Sequence, residues 1–173
     1  MMQRAQFEQW VPFPLETVFL FFANPGNLPR IMPPQTGAEL LGLRLVPPPG
    51  ISPVRSTVTD APPLAGVGSE IFTAFRLVPF LPFRGRWTAL ITEFEWNHDF
   101  ADVQKKGPFQ KFHHRHSFRS ETRDGQTGTL VRDEIEYDVG WGALGNLVQR
   151  FFIGPQLRKV FEYRQRALPG LLA

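Results

Sequence analysis

The stretch DFADVQKKGPFQKFHHRHSFRSETRDGQTGTLVRDEIEYDV, residues 99–139, decides how this chain folds. Period-two counting puts Phe112, His114, His116 and Phe118 on one side of a strand and His113, Arg115, Ser117 and Arg119 on the other. Further on, Thr129, Val131, Asp133, Ile135, Tyr137 and Val139 share a face, opposite the plainly solvated Arg132, Glu134, Glu136 and Asp138. Asp133 is the exception on an otherwise uncharged face. A carboxylate there costs several kcal/mol, on the order of the desolvation penalty of a buried ion, unless something neutralises it. Asp124-Gly125 is a two-residue hairpin signal, because both positions tolerate positive φ. Closing the turn on Arg123 and Gln126 predicts Phe118 opposite Val131, His116 opposite Asp133, His114 opposite Ile135 and Phe112 opposite Tyr137. A Gly125-Gln126 turn moves the register by two and keeps the faces matched, while a shift by one turns the apolar set outward.

The preceding hairpin turns at Lys106-Gly107-Pro108-Phe109. A three-residue loop from Gly107 to Phe109 sets Gln104 opposite Phe112, Asp102 opposite His114 and Phe100 opposite His116. A two-residue loop would put Asp102 and His114 on different faces. The longer loop gathers the uncommon polar residues on the apolar side, and an enclosed cavity with a few polar groups is the expected result.

The run Phe100-x-Asp102-x-Gln104-x-x-Gly107-Pro108-Phe109-x-x-Phe112-x-His114-x-His116-x-Phe118, followed by Gly128-Thr129-x-x-x-Asp133-x-x-x-Tyr137, resembles a bacterial branch of the SRPBCC superfamily. That superfamily gathers START-related lipid-transfer domains, polyketide cyclases and dehydratases, coenzyme Q-binding proteins and pollen-allergen-like carriers. Val18-Phe19-x-Phe21-Phe22-Ala23-Asn24-Pro25-x-Asn27-Leu28 and Phe161-x-Tyr163-Arg164 resemble the same branch. The resemblance implies an α+β helix-grip fold over residues 1–173: a curved antiparallel sheet wrapped around a long C-terminal helix, two short helices after the first strand, and a ligand cavity between sheet and helix. Where Phe112 stands, the branch usually carries another aromatic, often Trp.

The rest of the composition fits that expectation. A chain of 173 residues is long enough to bury one core without staples. It has no cysteine, which excludes disulfides, thiolate chemistry and Cys-based zinc sites. The longest apolar run, around Val18 to Ala23, is far below the ~20 residues that span a bilayer, so no stable membrane insertion is expected. Arg4 and Glu8 interrupt the N-terminus where a signal peptide would be apolar, and a cytoplasmic location is the default expectation. The net charge is only +3 and basic residues alternate with acidic ones, so the Lys105 to Arg115 stretch reads as a solvated strand face rather than a nucleic-acid surface.

Strands are expected over residues 5–12, 38–46, 69–78 and 84–96, a helix opening at Pro14-Leu15, and a second short helix from Leu28 to Met32. Along 84–96, Trp87, Ala89, Ile91, Glu93 and Glu95 share one face and Thr88, Leu90, Thr92, Phe94 and Trp96 the other. Pattern alone leaves the direction open; the resemblance turns Trp87 and Ile91 inward. The proline-rich segment 47–68 reads as a lid over the cavity, a neutral insertion or a distorted strand pair. From Trp141 the period becomes helical, with Leu144, Val148, Phe151, Phe152, Leu157, Val160, Phe161 and Leu168 at three- and four-residue spacings, and Gly154-Pro155 expected to kink or briefly interrupt the helix.

The inward polar residues admit three chemistries. They can form a satisfied network, His116 with Asp133 and Asp102 with His114, which orients a ligand. They can do acid/base work in a cyclisation or dehydration, with His114, His116, Asp102 and Asp133 as the catalytic candidates. His-x-His with a neighbouring carboxylate can also converge on a divalent ion, but nothing in the resemblance supports this, and no metal or cofactor is expected. Ser117 points away from His116 and makes no nucleophile pair. Seventeen phenylalanines favour a broad apolar pocket, and Phe72, Phe75 and Phe80 read as core or lining. The expected function is binding of a lipid, isoprenoid, quinone or polyketide-like molecule. Phe72, Trp87, Ile91, Phe100, Phe112, Phe118, Ile135 and Tyr137 would give apolar contact, and Gln104, His114, His116, Asp102 and Asp133 orientation. The alternatives are a cyclase or dehydratase, and a non-catalytic module serving a partner enzyme such as a reductase. Oligomeric state is not legible.

Overall fold

The computed structural model describes residues 2–50, 63–76, 84–140 and 142–173. Seven antiparallel strands form one sheet: β1 (Gln3–Val11), β2 (Glu39–Arg44), β3 (Glu70–Phe75), β4 (Gly85–Glu95), β5 (Asp99–Lys106), β6 (Lys111–Arg123) and β7 (Gln126–Asp138). Their order is β1-β7-β6-β5-β4-β3-β2. The helices are α1 (Leu15–Ala23), two 3-10 segments (Pro25–Ile31 and Pro34–Thr36), α2 (Gly142–Val148) and α3 (Gly154–Leu172), the last two joined by a π-helical turn, Gln149–Ile153. This is the helix-grip architecture, a seven-stranded sheet wrapped around a long C-terminal helix.

The β6–β7 hairpin turns on Asp124 and Gly125, both at positive φ, and Arg123 faces Gln126. Phe118 consequently pairs with Val131, His116 with Asp133, His114 with Ile135 and Phe112 with Tyr137. Across β5–β6, Phe100 pairs with His116 and Asp102 with His114, and the ladder ends at Val103 with His113. Gln104 thus has no ladder partner in Phe112. Its amide closes the loop instead, Nε2 donating to the Phe109 carbonyl (2.7 Å) and Oε1 accepting from the Phe109 N–H (3.1 Å).

In β4 a register shift between Ile91 and Glu93 resolves the ambiguity of its two faces. Before it, Trp87 and Ile91 are buried on the cavity side; after it, Phe94 meets Phe19 edge-on at 5.4 Å and Glu93 reaches out to Arg115. An extra residue in one strand inverts the alternation beyond it, so each face carries inward residues over half its length. Gly154-Pro155 does not interrupt the last helix. Pro155 cannot donate a backbone hydrogen bond, and the chain widens just before it, the Gly154 N–H reaching the Gln149 carbonyl. The turn leaves Phe151 and Phe152 exposed.

Of the three apolar clusters among the described residues, two join helices to the sheet. Val11, Val18, Phe19, Phe100, Phe118, Val131 and Leu168 join α1 and the end of α3 to the sheet; Ile135, Tyr137 and Phe161 join the middle of α3, where Phe7 stacks on Phe161 at 4.1 Å. The central part of the proline-rich segment, 51–62, and Phe80 lie outside the described residues, as does the lid expectation. The flanks of that segment are anchored: the Ala65 N–H donates to the Ala23 carbonyl (3.1 Å) and the Gly66 N–H to the Val46 carbonyl (2.8 Å).

Candidate functional site: a polar floor in an apolar cavity

Between the sheet and the helices lies a cavity of about 230 Å³. Of the residues expected to line it, Trp87, Ile91, Phe100, Phe112, His114, His116 and Ile135 do, together with Asp102. Four do not. Phe72 falls on the far face of β3 while Ile71, Thr73 and Phe75 face the cavity, because neighbours on a strand alternate. Gln104 is spent on its loop, Phe118 belongs to the Phe19 cluster, and the hydroxyl of the buried Tyr137 accepts from Gln149 Nε2 at 3.3 Å. The 3-10 segment Pro25–Ile31 and α3 supply walls that strand counting could not reach, among them Leu28, Ile31, Leu157 and Val160.

Asp133 sits behind the histidines, 4 % exposed. Its Oδ1 accepts from His114 Nε2 (3.0 Å) and from Arg164 Nη1 (2.7 Å). His116 Nδ1 lies 2.7 Å from the same oxygen, a close polar contact that departs from ideal hydrogen-bond alignment. Of the two expected pairs, His116 does meet Asp133, whereas Asp102 and His114 face each other across the ladder without a side-chain hydrogen bond. His114 joins His116 on the Asp133 carboxylate, and the main neutralising charge is Arg164, which the strand pattern did not reveal. Its guanidinium lies between two rings, 4.5 Å from Phe161 and 5.4 Å from Phe22, and is 5 % exposed. Aromatic faces suit a buried guanidinium better than an ammonium. One signal could have found it: Leu157, Phe161, Arg164 and Leu168 follow the apolar helical spacing, so Arg164 stands on the buried stripe.

These contacts fix the charges. Burial alone would raise the Asp133 carboxyl, but Arg164, His116 and the His114 hydrogen bond hold it well below the usual carboxylate range. Burial pushes His114 down to about 4, with His116 adding to it against the pull of Asp133. His116 is lowered too, chiefly by burial. Both imidazoles are neutral at pH 7. Since a carboxylate only accepts, His114 carries its proton on Nε2 and keeps Nδ1 as a lone pair. Asp102 is the opposite case: burial raises its carboxyl, only partly offset by His114, His113 and Arg164. It makes no side-chain hydrogen bond among the described residues and faces the cavity. Donor atoms of Asp102, His114 and His116 lie within 4.8 Å of one another.

A model of the family described as polyketide cyclase / dehydrase and lipid transport matches residues 11–160. The chain belongs to this family. No curated protein sequence matches it. Solved structures similar to this member of the family include TTHA0849 from Thermus thermophilus (16 % identity, TM-score 0.60, covering 98 % of this chain and 97 % of that one). Protein Ms6760 from Mycobacterium smegmatis (13 %, 0.63, 98 % and 90 %) is similar as well. So is norcoclaurine synthase from Thalictrum flavum, solved with dopamine and hydroxybenzaldehyde (13 %, 0.57, 97 % and 87 %). At these identities the likeness establishes the shared fold. Among the described residues no helix is long and apolar enough to cross a membrane.

Proposed function

We propose that the protein binds a small amphipathic molecule whose apolar body fills the cavity and whose polar end meets Asp102, His114 and His116. The observation that carries this reading is the unpartnered Asp102 carboxylate on an aromatic-lined wall. A polar group in such a place is costly until something hydrogen-bonds it, and a ligand hydroxyl or amine would do so. The family's description, covering cyclases and lipid transport alike, is compatible with a lipid, isoprenoid, quinone or polyketide-like guest.

A second reading, proton-transfer catalysis of the cyclase or dehydratase kind, is favoured by one specific feature. A neutral His114 with a free Nδ1 stands beside a carboxyl whose affinity for protons is raised, which is how a base and an acid coexist at one pH. A third, a module serving a partner enzyme, would need no open cavity.

Native mass spectrometry of the protein purified from its own host, with organic extraction, separates the first two. A stoichiometric apolar guest supports the carrier. An empty protein whose cavity still takes up an added apolar fluorophore points to a catalyst that has released its product. Failure to take up any such probe would overturn both.

A further inference from the structure

We infer that Asp102, His114 and His116 form a binding site for a divalent first-row transition ion, open toward the cavity. Two imidazoles at positions i and i+2 of β6 and one carboxylate directly across the ladder on β5 give an N2O donor set on a single sheet face. Bonds of roughly 2.0–2.2 Å let two ligand atoms of one ion stand up to about 4.3 Å apart. The observed spread of at most 4.8 Å closes to that with side-chain shifts of less than an ångström.

What surrounds the three residues suits a metal. Asp133 accepts from His114 Nε2 and so fixes the tautomer that leaves Nδ1 as a lone-pair donor, the outer carboxylate that metal-bound histidines commonly have. His116 Nδ1 lies 2.7 Å from Asp133 Oδ1, so the ring nitrogen that Asp133 leaves unengaged is Nε2. The Arg164 guanidinium is already matched by Asp133 at 2.7 Å, and among the described residues Asp102 makes no ion pair. Two imidazoles and one carboxylate suit zinc, iron, cobalt or nickel better than the hard calcium or magnesium ions. The remaining coordination positions would face the cavity, where an oxygen of a guest could complete the sphere.

This goes beyond the binding of a guest, and it is tested on guest-free protein, so either idea can fail alone. Chelator-treated protein is titrated with ZnCl2 by calorimetry and with CoCl2 by visible absorption. The expected result is one ion per chain, with Asp102→Asn weakening both titrations tenfold or more. Asp102→Asn keeps the shape of the side chain and removes a carboxylate that burial disfavours, so its unfolding midpoint should equal or exceed that of the parent. A second cluster, Glu95, His98 and Asp99, lies on the surface, and Glu95→Gln is the control that should leave the titrations unchanged. No binding by the parent, equal binding by Asp102→Asn, or loss of binding in Glu95→Gln would each overturn the assignment.

Discussion

Arg164 is the residue on which the cavity floor depends. Its removal leaves the buried Asp133 with two neutral imidazoles in place of a full charge. Arg164→Met should therefore destabilise the protein by about 3–5 kcal/mol, the cost of breaking a buried pair from one side. Asp133→Leu in the same chain should restore much of that loss, measured as urea midpoints of the single and double variants. The histidines make a second, pH-dependent contribution. A group whose folded pKa lies below its unfolded one stabilises the native state above the unfolded value, and the contribution is lost as pH falls toward the folded one. For His114 that window runs from 6.5 down to about 4, worth up to roughly 3 kcal/mol at one pKa unit per 1.36 kcal/mol. His116 acts in the same direction and Asp102, being raised, in the other. With chelator present, the urea midpoint should fall between about pH 7 and about pH 4.5, and fall more steeply in Asp102→Asn, where the opposing carboxyl is gone. A midpoint flat across that range would mean that the imidazoles are not held neutral by burial.

Among the elements, the β1–β7 pair has the least room for change. A methyl group at Gly128 would run into the Val11 carbonyl and the Trp10 indole, and the Val11 backbone cannot retreat without leaving β7. Gly128→Ala should cost about 1–3 kcal/mol, as overpacking does, against a few tenths for an alanine on an open face, with thermal unfolding as the readout. The elements also show what a sequence reveals. The β6–β7 and β5–β6 pairings follow from alternation and one Asp-Gly turn, because a register slip of one residue would expose every apolar side chain of the pair. Phe72 and the two halves of β4 were not legible: alternation has no origin of its own in a strand without a turn signal, and an extra residue resets it unannounced. Arg164 was hidden differently. A charged residue on an apolar helical stripe identifies itself only when the carboxylate that it neutralises is placed across from it, and Asp133 lies 31 positions away.

For the molecule as a whole, the cavity is a deficit of packing that a guest would repay. Whatever binds the native state alone raises its stability by about 2.7 kcal/mol at a concentration 100 times its dissociation constant. An apolar fluorophore should thus raise the melting temperature. Ala89→Phe, which fills part of the cavity from β4, should weaken fluorophore binding tenfold or more, equivalent to about 1.4 kcal/mol, with a smaller effect on unfolding. The helix-grip plan was legible from the resemblance of three separated stretches, whereas the 3-10 wall came only with the structure.

The strand order has a consequence in time as well as in space. Gln3 pairs with Tyr137 and Val11 with Thr129, so β1, synthesised well before β7, waits for it before it finds this neighbour. Such distant pairings make for slow folding, since a long loop must close before any contact rewards it. Until α3 follows, Asp133 has no Arg164, and the nascent sheet carries an uncompensated charge on the very face it must bury. Only when α3 docks does Arg164 neutralise that charge and complete the floor of the cavity.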